Sequence, residues 1–176
     1  MILTLIRHPP VDAGQRCYGR LDLLPTANAL AHAVQHLSSD DKSCDDRQNS
    51  HWISSPAQRC VLLAQQLSPS VEINPLWQEL DFGQWEGLGW DDIPRHALDD
   101  WAADIWHYRV GQTGETAAEL NQRLQHALAQ LTHHRHVTVV THAGVIRMLL
   151  AQHGCIADSN RWSAPIAYAT PYTLER

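Results

Sequence analysis

Short apolar runs alternate with segments of helical spacing along this chain, and that alternation leaves few folds open. Residues 2–6 are largely apolar and stop abruptly at Arg7-His8-Pro9-Pro10. Two prolines cannot continue a central strand, so a buried strand feeding a rigid loop is predicted. Residues 51–54 and 71–73 read as further strands, and residues 137–140 are the most strand-like run of all. Residues 167–174 read as a last strand, weakened by Pro171 and suited to an edge. Between them, Thr26 is a candidate N-cap for a helix with Leu30, Val34 and Leu37 on one face. Pro56 is expected to open a helix through Leu67, with Val61, Leu62, Leu63 and Ala64 inward. Residues 116–131 carry Leu120, Leu124, Leu128 and Leu131 at helical spacing, and residues 143–153 follow the strongest strand as a helix. Strands alternating with helices imply an α/β sandwich with a mostly parallel central sheet flanked by helices. Its 176 residues fit a single domain with a real core, in which residues 80–113, rich in Trp, Gly and Asp and without a clean period, form a small cap.

In such sheets ligands bind outside the carboxyl ends of the strands. That rule selects three places: Arg7-His8, Ser54-Ser55 and Thr141-His142. Each has two readings. An Arg-His pair ending a buried strand either neutralises a core carboxylate or forms part of a site. Arg59 falls in the first turn of its helix, where the dipole disfavours a cation unless an anion sits at the helix mouth. Thr141-His142-Ala143-Gly144 puts a second imidazole at a turn where small residues allow close backbone approach. Together they supply two arginines and two histidines at one edge of one sheet. The polar loop at residues 38–50 leads into a strand, so it belongs at the opposite edge and is expected to be functionally silent.

Composition narrows the classes. A net charge of -6 argues against nucleic acid, which wants clustered Lys and Arg. No apolar run is long enough to span a bilayer, and residues 1–6 run into Arg7 without a basic leader, so neither a membrane protein nor a secretion signal is expected. Cys17, Cys44, Cys60 and Cys155 are widely spaced, as reduced thiols of a cytoplasmic protein are. His133, His134 and His136 follow the residue 116–131 helix, whose C-terminal dipole welcomes positive charge; no carboxylate or cysteine is adjacent, so no metal site is expected there. Trp85, Trp90, Trp101 and Trp106 either pack the cap or offer an aromatic wall to a flat substrate.

Five ordered motifs then carry a resemblance. They are Leu5-Ile6-Arg7-His8; Ser54-Ser55-Pro56 with Arg59; Leu76, Glu79, Phe82-Gly83 and Trp85-Glu86-Gly87; Gly114-Glu115-Thr116; and Val140-Thr141-His142-Ala143-Gly144-Val145. In this order and spacing the chain resembles the histidine phosphatase (phosphoglycerate mutase-like) superfamily over nearly its whole length. Where that family usually has Gly after Arg-His, this chain has Pro9.

The resemblance implies a three-layer sandwich and a metal-independent phosphomonoesterase with no cofactor, acting on a small-molecule phosphate ester. It casts His8 as a nucleophile that is transiently phosphorylated. Arg7, Arg59 and His142 would hold the phosphoryl oxygens, and Glu79 would protonate the leaving alkoxide. A carboxyl in that role must hold its proton near neutral pH, which burial beside an incoming phosphate dianion favours. Glu86 is the alternative acid, although Trp85-Glu86-Gly87 suits tying down a loop. Arg20, close after the His8 loop, either touches substrate or pairs with Asp22. Glu115 either favours the following helix N-terminus or serves the site.

Residues 17–22 and 79–86 look like the α-ribazole phosphatase branch, which removes the 5′-phosphate of a dimethylbenzimidazole nucleotide in cobalamin assembly. A broad-specificity small-molecule phosphatase and a catalytically silent phosphate-binding module of the same fold are the alternatives. Oligomeric state is left open.

Overall fold

A computed structural model of the chain describes residues 1–39 and 50–175. Among these residues it contains five strands, β1 (Ile2–Arg7), β2 (His51–Ser54), β3 (Glu72–Ile73), β4 (His136–Thr141) and β5 (Pro171–Glu175). Five α-helices accompany them: α1 (Ala27–Ser38), α2 (Gln58–Leu67), α3 (Arg95–Ala103), α4 (Ala117–Ala129) and α5 (Ala143–Gln152). The loop expected at residues 38–50 lies largely outside the described residues.

The sheet order is β3-β2-β4-β1-β5, with β5 alone antiparallel. Registers place Arg7 opposite Thr141 and Ser54 opposite Val140, so three parallel strands end in line. Alternation along each strand splits the core in two. Leu3, Leu5, Ile53, Val137 and Val139 face one layer with Leu120 and Leu124 of α4 and Val145, Met148 and Leu149 of α5. Ile6, Trp52 and Val140 face the other, against Ala33 and Leu37 of α1 and Cys60 and Leu63 of α2. This is the α/β sandwich the alternation predicts, with the three layers the resemblance implies. Each wholly buried Leu or Val contributes about 1.5–3 kcal/mol.

Local signals act as expected at most element ends. Thr26 Oγ1 accepts from the Ala29 amide. Thr116 and Glu119 form a reciprocal capping box at the start of α4. Pro171 opens the edge strand β5, where its missing N–H costs no ladder bond.

Helix α2 departs from expectation. It begins at Gln58, two residues after Pro56, and buries Arg59, Cys60, Leu63 and Ala64, while Val61 and Leu62 are half-buried. The Arg59 guanidinium sets that phase, because it must reach the sheet edge. The segment after Phe82 holds 3₁₀ turns at Gly83–Trp85 and Trp90–Asp92 before α3. Phe82, Trp85, Trp101 and Tyr108 pack edge-on and tilted there, and Trp106 lies under the Arg161 guanidinium. Packing therefore accounts for Trp85, Trp101 and Trp106, whereas Trp90 is partly exposed. Cys17, Cys60 and Cys155 are free thiols; Cys44 lies outside the described residues. No helix among the described residues is long and apolar enough to cross a membrane.

Candidate active site

Where β1, β2 and β4 end, the next residues are His8, Ser55 and His142. The His8 and Ser55 amides extend the ladder to the Thr141 and Val140 carbonyls. This brings the His8 and His142 rings to 5.3 Å between centroids. Both are almost fully buried.

His8 Nδ1 lies 2.6 Å from the Pro9 carbonyl oxygen. A carbonyl only accepts, so Nδ1 carries the proton and donates it. Neutral His8 must then leave Nε2 with its lone pair. Burial, followed by the charge of Arg59 and less so Arg7, pushes the His8 pKa down to about 3, against the Pro9 bond that raises it. An unprotonated imidazole with a fixed tautomer results. The acceptor is a backbone group, so the Pro9 side chain, the departure from Gly, leaves it in place.

His142 Nε2 lies 2.8 Å from Ser55 Oγ, and its Nδ1 lies 3.4 Å from Arg59 Nη2. With Arg59 donating to Nδ1, the His142 proton sits on Nε2. Its pKa is held well below the ordinary imidazole value by burial first, then by Arg59, His8, Arg123 and Arg7.

Arg59 is wholly buried; its Nη1 donates to the Leu21 carbonyl and its Nη2 to that of Gly19, while Asp22 stands 3.9 Å away. Arg7 donates to the Ile166 carbonyl and its Cζ lies over the Tyr168 ring, 3.6 Å from the ring centre. Both Nε atoms are buried with no acceptor among the described residues. Leaving such donors unmet costs about 1–3 kcal/mol each, so the site fits an anion that would accept from them. Tyr18 and Tyr168 stand over this cluster, against Arg59 and Arg7 respectively, with ring centres 6.5 and 5.7 Å from that of His8.

Glu79 reaches the same edge. Its Oε2 accepts from the Gly144 amide at the start of α5 and its Oε1 from the Leu80 amide. A Cβ at Gly144 would run into the Glu79 carboxylate, so the close approach requires glycine there. Glu86 is spent elsewhere. Its two oxygens accept from the amides of Gly19, Arg20, Leu21 and Phe82, tying the loop after β1 to the turn at Phe82.

Arg20 does not pair with Asp22. It donates to the Glu79 carbonyl and to Gln78 Oε1, and stands 3.7 Å from Glu115. Asp22 instead accepts from the Gln58 amide. Arg20, Ser55, Glu79 and His142 line a cavity of about 100 Å³, large enough for a phosphoryl group. All six residues singled out from the sequence thus gather at one sheet edge. Sequence reasoning missed the Pro9 carbonyl, which has no side-chain signature, and Tyr168, which follows no motif. Among the described residues no group of three or more His, Cys, Asp or Glu is arranged to hold a metal ion.

The family model of the histidine phosphatase superfamily (branch 1) matches residues 3–176. The chain belongs to the histidine phosphatase superfamily. Among relatives, the chain is 37% identical over 100 residues to a 6-phosphofructo-2-kinase/fructose-2,6-bisphosphatase of Caenorhabditis elegans, covering 53% of this chain and 21% of that one. It is 30% identical over 99 residues to the adenosylcobalamin/alpha-ribazole phosphatase of Escherichia coli (strain K12), covering 53% of this chain and 48% of the relative. The matched stretch therefore spans at most about half of either curated relative. Among solved structures, the alpha-ribazole phosphatase from Shigella flexneri superposes with a TM-score of 0.83 at 22% identity, covering 99% of this chain and 90% of that one. At that identity the likeness is one of fold.

Proposed function

We propose that the chain is a metal-independent phosphomonoester hydrolase that works through a phosphohistidine on His8. The observation behind this reading is the His8 ring: buried, with Nδ1 held by the Pro9 carbonyl, and with burial and the charges of Arg59 and Arg7 disfavouring a second proton on Nε2. In the first step Nε2 attacks phosphorus as the bond to the leaving oxygen breaks, and Glu79 gives that oxygen a proton. The ring gains positive charge, which the Nδ1–H bond to the Pro9 carbonyl offsets. In the second step Glu79 takes a proton from water, the water oxygen attacks phosphorus, and the P–N electron pair returns to Nε2. Arg7, Arg59 and His142 stabilise the charge on the phosphoryl oxygens in both steps, the role a metal ion plays in other phosphoryl transfer enzymes.

The substrate in this reading is α-ribazole 5′-phosphate. The likeness to the Escherichia coli relative supports it, as do Tyr18 and Tyr168, whose rings offer a flat leaving group an aromatic surface beside His8. A broad-specificity small-molecule phosphatase is the second reading, favoured by the small size of the cavity of about 100 Å³ beside Glu79 and His142, which has no room for a nucleoside. Rates on α-ribazole 5′-phosphate, glycerol phosphate and p-nitrophenyl phosphate, with and without EDTA, decide between them. The first reading predicts EDTA-insensitive turnover and a kcat/KM for the ribazole ester about tenfold or more above that for glycerol phosphate, the scale of one stacking contact. Equal rates on the two esters would leave only the broad phosphatase. No hydrolysis of any ester would leave the phosphate-binding module.

A further inference from the structure

The Glu79 carboxylate has to meet a leaving oxygen within hydrogen-bond reach, yet Glu79 sits in no regular element. It follows the 3₁₀ turn Pro75–Trp77, in which the Pro75 carbonyl accepts from the Gln78 amide and side chains meet the Leu76 and Trp77 carbonyls. Two clamps hold this segment from opposite sides. From the sheet edge, Thr141 Oγ1 donates to the Trp77 carbonyl at 2.7 Å. From α4, Arg123 takes the neighbouring carbonyls: Nη1 donates to Leu76 at 2.7 Å and to Gln78 at 3.0 Å, and Nη2 to Glu79 itself at 3.3 Å. The remaining face of the Arg123 guanidinium is held by Glu115, with Nε donating to Oε1 at 2.9 Å and Nη2 to Oε2 at 2.8 Å. Both side chains of that pair are nearly buried, 14% and 12% exposed. Arg20 joins the same group, donating to the Glu79 carbonyl at 3.0 Å and standing 3.7 Å from Glu115.

Only a planar fork with five donors can serve three carbonyls and a carboxylate together; a lysine ammonium reaches fewer at poorer angles. An ion pair fully used on backbone carbonyls around one residue is a device for geometry. We infer that Arg123, held in register by Glu115, is the positioning residue that aims the Glu79 carboxyl at the leaving-group oxygen. This rests on the proposed role of Glu79 as general acid, and it adds two residues that touch neither phosphate nor nucleophile.

The test uses leaving-group chemistry. A p-nitrophenolate departs with little help from an acid, whereas an alkoxide needs its proton. Because Glu79 also serves the hydrolysis step that both esters share, the readout is kcat/KM, which ends at departure of the leaving group. A misaimed Glu79 lowers it for glycerol phosphate far more than for p-nitrophenyl phosphate, while general damage lowers both alike. We expect Arg123→Lys to reduce the ratio of the two kcat/KM values, alkyl over aryl, by about tenfold or more. Glu115→Gln, which keeps shape and removes the anchoring charge, should shift the ratio in the same direction by less, and it decides the matter if Arg123→Lys folds poorly. Glu79→Gln serves as the reference and should shift the ratio most. Unshifted ratios in both Arg123→Lys and Glu115→Gln, with a large shift in Glu79→Gln, would overturn the inference and leave the proposed function standing. An unshifted ratio in Glu79→Gln would overturn both.

Discussion

His8 differs from an imidazole in water in two respects, and each comes from a neighbour in sequence or space. The Pro9 carbonyl fixes the tautomer, and burial beside Arg59 and Arg7 drives off the ring charge. An ordinary histidine changes charge near pH 6.5. His8 should not. Its ring resonances, assigned by comparison with His8→Asn, are expected to stay at neutral positions between about pH 8 and about pH 5, with the proton on Nδ1. A titration centred near 6.5 would contradict the electrostatic account. His8 was legible as a candidate nucleophile from Arg7-His8 at the end of an apolar run; the Pro9 carbonyl that holds its ring was not, because a backbone carbonyl leaves no mark in a sequence. Arg123 was hidden for a related reason. On a helical pattern it belongs to the polar side of α4, and only the tertiary fold lays residues 76–79 across it.

At the level of elements, the site exists because strand ends coincide. Arg7 lies opposite Thr141, and Ser54 opposite Val140, so His8, Ser55 and His142 emerge side by side. Periodicity foretold those strands and the faces of α1 and α4. It missed the phase of α2, where Arg59 at the sheet edge overrides the apolar pattern, and the partner of Arg20, because Glu115 comes from the start of a distant helix. Helix α5 presses closest: its Gly144 amide holds Glu79, and there is no room for a Cβ between them. In an exposed helix Gly→Ala stabilises by roughly 0.5–1 kcal/mol. Here Gly144→Ala should leave thermal stability within about 1 kcal/mol, since the end of the Glu79 side chain can move. The displaced carboxyl should lower kcat on alkyl phosphates by roughly 10²-fold, the scale of a displacement near 1 Å. Unaltered kcat in a folded Gly144→Ala protein would show that the contact does not matter.

Over the whole molecule, a chain of net charge -6 keeps the buried Arg59, the half-buried Arg7 and two uncharged histidines at one edge. That arrangement has a thermodynamic consequence. The unfolded chain protonates His8 and His142 below about pH 6.5. The folded chain leaves His8 unprotonated until about pH 3, and His142 likewise well below its ordinary value. Unfolding then takes up protons in this window, so stability is fully present above about 6.5 and falls as pH drops from there towards 3. Urea unfolding in steps from about pH 7.5 to about pH 4.5 should show this fall, and His8→Asn should make it shallower. Stability that stays flat or rises on acidification would contradict the burial of neutral imidazoles. The family and the layered architecture were legible in five motifs and their spacing. The tyrosine pair over the site was not, because Tyr18 and Tyr168 are brought together only when β5 returns beside β1.

Phosphate trapped on the protein tests the central claim most directly. Rapid acid-free quenching during turnover of a labelled phosphomonoester should leave acid-labile, base-stable phosphate on the wild-type chain, mapped to His8 and absent from His8→Ala. Label on His8→Ala, or turnover by that variant at the wild-type rate, would contradict the account.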